Sequence, residues 1–109
     1  MKDSRGDLEQ LLGGITPEAV QAVNAVYGFD LAGDGGGRFT LDVRPAATQR
    51  LLDGLPIDHR LQSDVTILCK AEHFHAIVQG SMAADTAFMF GRLKVIGSMG
   101  IALKLANLF

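Results

Sequence analysis

The densest grouping of side chains able to bind a metal or attack a bond is Cys69, Glu72, His73 and His75, with His59 upstream. On a helix, side chains two apart diverge by about 200°, so His73 and His75 could not share a metal. A zincin site places its histidines at i and i+4. On a strand the pair would converge, but Ala71, Phe74, Ile77 and Val78 have helical spacing. No metal site is therefore expected, and Glu72 reads as a first-turn acid that complements the helix dipole. Cys69 falls on one strand face with Val65 and Ile67, which predicts a buried, inert thiol rather than a nucleophile served by His59 or His73. Ser63 and Asp64 are expected to begin a turn. The cluster Gly33 to Gly37 lacks a following helix N-terminus and a Gly-Lys-Ser/Thr sequence, so it reads as a hairpin turn and not a phosphate loop. No enzymatic activity and no cofactor are expected.

Methionine and phenylalanine offer a different chemistry, the solvation of an apolar guest. In Met82–Phe90, Ala83, Ala87 and Phe90 form one helical stripe, and Ala84 with Phe88 a second. Met82 and Met89 lie near the polar side with Ser81 and Asp85, so large side chains point in several directions from one short helix. Methionine is unbranched and polarizable and adapts to several guest shapes. Ordinary core packing and a cavity wall both account for this pattern. The final helix, Met99–Phe109, leaves only Gly100, Lys104 and Asn107 as a narrow polar stripe. A helix apolar nearly all round is buried on most sides or meets something greasy. Lid, dimer partner and membrane surface are the options, and lid over a cavity is the expectation, because one lysine is thin support for an anionic-membrane anchor.

The elements that must position these residues follow from periodicity. Leu8, Leu11, Leu12 and Ile15 mark a helix closed by Gly13-Gly14; Thr16-Pro17-Glu18 restarts one, with Val20, Val23 and Val26 as its buried stripe. From Tyr27 the period becomes two. Tyr27, Phe29 and Leu31 alternate with Gly28, Asp30 and Ala32; after the glycine turn, Phe39, Leu41 and Val43 face in while Arg38, Thr40, Asp42 and Arg44 face out. This predicts a hairpin with one wet face. A third strand is expected over Thr48–Asp53, a loop over Gly54–Ser63, a fourth strand over Asp64–Lys70 and a helix over Ala71–Gln79 with Gly80 as its cap. Ser81 is expected to cap a helix running to Phe90, and Arg92–Gly97 to form strand five.

At 109 residues the chain reads as one domain over 1–109, long enough for a core without staples. Hydrophobic residues make up 48% and mean hydropathy is +0.21, more than one core needs and compatible with a cavity or an oligomer. The net charge of −2 gives no footprint for nucleic acid. A lone cysteine, an N-terminus without an apolar run and a C-terminus unlike a peroxisomal address lead to a cytoplasmic expectation.

The order of elements, and Asp64, Phe74, Gly80, Ala87, Phe88, Met89, Gly91, Leu93, Lys94, Val95 and Gly97 within it, resembles the sterol carrier protein 2 family of lipid-binding domains. The match is specific over roughly the last 45 residues. Ile96 stands where a second lysine is common in the family, and Ala106 where it often has glutamine. The resemblance implies an α+β fold: a five-stranded mixed β-sheet covered on one face by helices, with a hydrophobic tunnel between. It implies a non-catalytic protein that binds or transfers a lipid, whether fatty acid, fatty acyl-CoA, phospholipid or sterol-like molecule. The tunnel-lining candidates are Phe74, Ile77, Val78, Met82, Phe88, Met89, Phe90, Met99, Leu103 and Phe109. An alternative is an accessory module that presents a hydrophobic intermediate to a partner enzyme of lipid or quinone biosynthesis. Transient membrane contact and a homodimer are further expectations about partners.

Overall fold

The computed structural model describes residues 3–56 and 62–107, so His59 and Phe109 lie outside the described residues. In chain order the elements are α1 (Ser4–Gly13), α2 (Pro17–Val23), β1 (Ala25–Ala32), β2 (Gly37–Val43), β3 (Leu51–Asp53), β4 (Val65–Lys70), α3 (Ala71–Val78), α4 (Ala84–Met89), β5 (Leu93–Gly97) and α5 (Met99–Ala106). The strands form one sheet in the order β3-β2-β1-β4-β5. Only the central pair, β1 with β4, runs parallel; the β1–β2, β2–β3 and β4–β5 pairs are antiparallel. The fold is α+β with a mixed five-stranded sheet, as expected.

Strand alternation sets the core. Ala25, Tyr27, Phe29 and Leu31 of β1, Phe39, Leu41 and Val43 of β2, and Val65, Ile67 and Cys69 of β4 point to one face. There they pack with Leu8 and Leu11 of α1, Val20 and Val23 of α2, Phe74 of α3, and Ala102 and Leu105 of α5. Helices α1, α2 and α5 start where polar side chains supply missing acceptors. Asp3 accepts from the Gly6 amide (2.7 Å), Thr16 from that of Ala19 (3.1 Å) and Ser98 from that of Ile101 (3.3 Å).

Four expectations change. Val26 belongs to β1 and not to the stripe of α2, because Asn24 takes a left-handed conformation (φ 43°) and ends the helix first. The third strand is shorter than 48–53, beginning at Leu51 after a turn in which the Ala47 amide donates to the Arg44 carbonyl. Ser81 does not cap α4. Its hydroxyl donates back to the Ala76 carbonyl (3.2 Å), and α4 begins after Ala83 with no side-chain cap.

The hairpin face expected to be wet is in fact largely covered. Thr40 is fully buried and donates to the Gly54 carbonyl (2.7 Å), while the buried Asp42 carboxylate takes both Nε and a terminal nitrogen of Arg44 at 2.8 Å. The chain at Leu55–Pro56 lies so close over Gly28 that a Cβ there would come within 3.2 Å of Pro56 Cδ. Covering comes from a loop rather than from a helix, which period-two alternation cannot announce.

Candidate functional site

Phe29 of β1 pairs in register with Ile67 of β4, which pairs with Val95 of β5. These side chains, with Leu93, form the floor of a cavity of about 730 Å³. Phe74 and Ile77 of α3 make one wall, and Met82 with Ala83 the link into α4. Phe88 and Met89 of α4 stand on one side of the opening; Met99, Ala102, Leu103 and Leu105 of α5 complete the enclosure. The only polar side chains among the described lining residues are Asp85 and Asn107. Space remains because α4 is six residues long and buries only Ala87 fully. A small side chain there leaves the sheet row without a large partner to fill the volume above it.

The structure brings together Phe74, Ile77, Met82, Phe88, Met89, Met99 and Leu103 of the sequence-derived candidates around this space. Two others stand apart. Val78 packs against the core on another side of α3. Phe90 is 72% exposed, because α4 ends at Met89 and the backbone of Phe90 leaves helical geometry, so the stripe extended to it from Ala83 and Ala87 does not exist. Phe109 falls outside the described residues. The candidates omitted the floor: Phe29, Ile67, Leu93 and Val95. Their signal was present in the alternation of β5 and its pairing partners, but which strands lie side by side is settled by topology and not by spacing.

Two polar contacts fix the frame. The Tyr27 hydroxyl reaches through the core to donate to the Ile101 carbonyl of α5 (2.6 Å), and burial with the nearby Asp64 charge pushes its ionisation well above the usual phenol range. Asp64 accepts from the Val26 amide (2.8 Å), while its own amide donates to the Val26 carbonyl (2.9 Å), so it locks the entry of β4 against β1. Its carbonyl leaves no room at Gly97, where φ is +111° and a Cβ would lie 2.7 Å away.

The polar cluster around Cys69 is dispersed. Burial pushes the Cys69 thiol from 9.0 up to about 11, which keeps it protonated and unreactive near neutrality. His75 turns to α1, where its Nδ1 lies 2.7 Å from a carboxylate oxygen of the buried Asp7. His73 is 3.8 Å from Glu72 through Nε2, and its buried Nδ1 has no hydrogen-bond partner among the described residues. Among the described residues no three His, Cys, Asp or Glu side chains converge as metal ligands would. Nor is any described helix long and apolar enough to cross a membrane.

A family model described as the SCP-2 sterol transfer family matches residues 8–109. The chain belongs to this family. Among curated relatives, hydroxysteroid dehydrogenase-like protein 2 of Rattus norvegicus is 34% identical over 94 residues, which cover 86% of this chain and 17% of that protein. The chain thus spans about a fifth of the length of the curated relatives it matches. Among solved structures, palmitated sterol carrier protein 2-like 2 from Aedes aegypti superimposes with a TM-score of 0.77 at 19% identity, covering 98% of this chain and 94% of that one. The apo form of sterol carrier protein 2 from Yarrowia lipolytica gives 0.70 at 22% identity, covering 96% and 77%. At these identities the likeness shows a common SCP-2 fold.

Proposed function

We propose that this SCP-2 domain holds one lipid with a long apolar portion in the cavity above Phe29, Ile67 and Val95, without covalent chemistry, and carries it between donors and acceptors. The observation that carries the reading is the cavity itself: about 730 Å³ walled almost wholly by Phe, Met, Leu, Ile, Val and Ala. Sites for small organic ligands span about 300–1,000 Å³ and are likewise mainly apolar. Membership of the SCP-2 sterol transfer family and the fold shared with a palmitated relative support it. Each methylene moved from water into such a site contributes about 0.8 kcal/mol, so two more carbons strengthen binding by about tenfold until the space is filled. Such a site discriminates poorly among greasy molecules, because sharp selection needs polar groups that the wrong ligand leaves unpaired.

Binding without catalysis is the form this takes. The buried Cys69 thiol, the Asp7–His75 pair and the isolated His73 are turned to separate neighbours. The test is titration of delipidated protein with fluorescent fatty acids of increasing length, paired with native mass spectrometry of the protein as purified. Saturable one-site binding that tightens with length is expected; no saturable binding at any length overturns the reading. An accessory module that hands its guest to an enzyme would use the same site. It would show weak transfer between vesicles and would co-purify with the enzyme.

A further inference from the structure

Charge on the cavity lining has one sign. Asp85 is the sole ionisable side chain among the described lining residues; no lysine, arginine or histidine joins it. It stands exposed in the first turn of α4, where its Oδ1 accepts from the Thr86 amide (2.8 Å). Its Oδ2 makes no hydrogen bond among the described residues, and no described cation lies within ion-pair distance of the carboxylate. Arg92 and Lys104 are exposed and outside the lining. Lys94 alternates with Leu93 and Val95 and so lies on the opposite face of the sheet. A second feature adds to this field. Ala106 and Asn107 close the lining from the C-terminal end of α5, where a helix presents the negative end of its dipole.

We propose that Asp85 selects the polar head of the guest, so that the cavity takes long-chain amines, as ammonium ions, in preference to alcohols, and alcohols in preference to carboxylates. The inference deepens the reading of the cavity as a lipid site and rests on it. Hydrocarbon walls treat chains of equal length alike, so any preference among them must come from the head. The head of a guest whose chain fills the apolar space sits at the wet end, and there the exposed Asp85 is the one charge it meets. An ammonium head donates to the free Oδ2 and is attracted by its charge. A hydroxyl donates without the charge. A carboxylate brings no donor and is repelled. In water, two unit charges about 4 Å apart change an affinity by about fivefold, in opposite directions for ammonium and carboxylate, and salt screens both.

The test is displacement of an uncharged fluorescent fatty ester from the full, delipidated chain at neutral pH. The competitors are tetradecylamine, tetradecanol and tetradecanoate, each kept below the concentration at which it forms micelles. In the parent the amine is expected to compete about tenfold or more better than the carboxylate, with the alcohol between them and a smaller spread in high salt. Asp85→Asn keeps an oxygen for the Thr86 amide and removes the charge, so it should bring amine and carboxylate close together. Asp85→Lys should reverse their order. In both variants the ester itself should bind as it does in the parent, which separates a choice of head from a damaged cavity. The inference is overturned if the three competitors displace the ester equally from the parent, or if Asp85→Asn leaves the order and spread unchanged. Either result leaves the proposed function standing. Failure of the ester and of every competitor to bind the parent would instead overturn the proposed function, and this inference with it.

Discussion

The β1–β2 hairpin and the α4–β5–α5 region are built from similar side chains and end in opposite states. In the hairpin, Tyr27, Phe29, Leu41 and Val43 are at most 1% exposed, and even Thr40 and Asp42 on the reverse face are buried with their hydrogen bonds made. At the other edge of the sheet, Leu93 and Val95 are only half-buried, and Met89, Phe90 and Leu103 stand at least half in water. The difference lies in what sits above each strand. Helices α1 and α2 put Leu8, Leu11, Val20 and Val23 over the hairpin, whereas α4 offers Ala87. One sheet thus supports a closed half that supplies stability and an open half that keeps a space. Apart from Phe29, which is buried in the hairpin and also floors the cavity, residues in the first half should matter to folding and residues in the second to the guest.

The largest effect that separates the halves is expected from Leu41→Ala. It empties a fully buried site outside the cavity lining and should cost about 2–5 kcal/mol of unfolding free energy by urea titration. Any surviving folded fraction should bind acyl chains with parental affinity, and lost affinity would show that the halves are coupled. Leu103→Asp is the converse. This side chain is half exposed yet lines the cavity, so stability should shift by less than about 1 kcal/mol. The charge it sets against an apolar guest should weaken acyl-chain binding by roughly tenfold or more, measured by fluorescence titration. A variant that is folded and binds normally would show that this side of α5 does not meet the guest.

His75→Ala sharpens the same division from the frame. It leaves the buried Asp7 carboxylate without its ring partner, at a cost of about 1–3 kcal/mol. Thermal melts should register this while ligand titration does not. The smallest effect is confined to alkaline solution. The folded chain keeps the Cys69 thiol protonated up to about 11, while the unfolded chain ionises it near 9.0. Stability therefore falls as pH rises from about 9 towards 11, and the raised Tyr27 adds a loss of the same sign beginning near 10. In Cys69→Ala the first part of that fall should be absent from urea titrations across the alkaline range.

Much of the closed half was legible in the sequence because its period matches its burial. Leu8 and Leu11, then Tyr27, Phe29 and Leu31, then Phe39, Leu41 and Val43 give away helix, strand and hairpin in turn, and the core uses them. Val26 was misplaced because β-branched spacing continued past Asn24, whose left-handed turn is a weaker signal than periodicity. In the open half, seven of the tunnel-lining candidates implied by the family resemblance lie around the cavity, but its floor was not among them. Phe29, Ile67 and Val95 stand more than 25 residues apart along the chain and become neighbours only through the parallel β1–β4 and antiparallel β4–β5 pairings. No local pattern encodes that. Phe90 failed for the opposite reason: a stripe was extended past the point where the helix stops.

The sequence holds one tyrosine and no tryptophan, and the hydroxyl of that tyrosine is the one bound to the Ile101 carbonyl of α5. The chain thereby carries a built-in optical probe. Its near-ultraviolet absorption and emission arise chiefly from a single phenol whose hydrogen bond is made only when α5 is seated on the sheet. Lifting the helix to admit a guest would return that phenol to a different environment and alter its spectrum, while a rigid α5 would leave it constant throughout a titration. The unlabelled protein can therefore report, by its own light, whether the wall moves when the cavity fills.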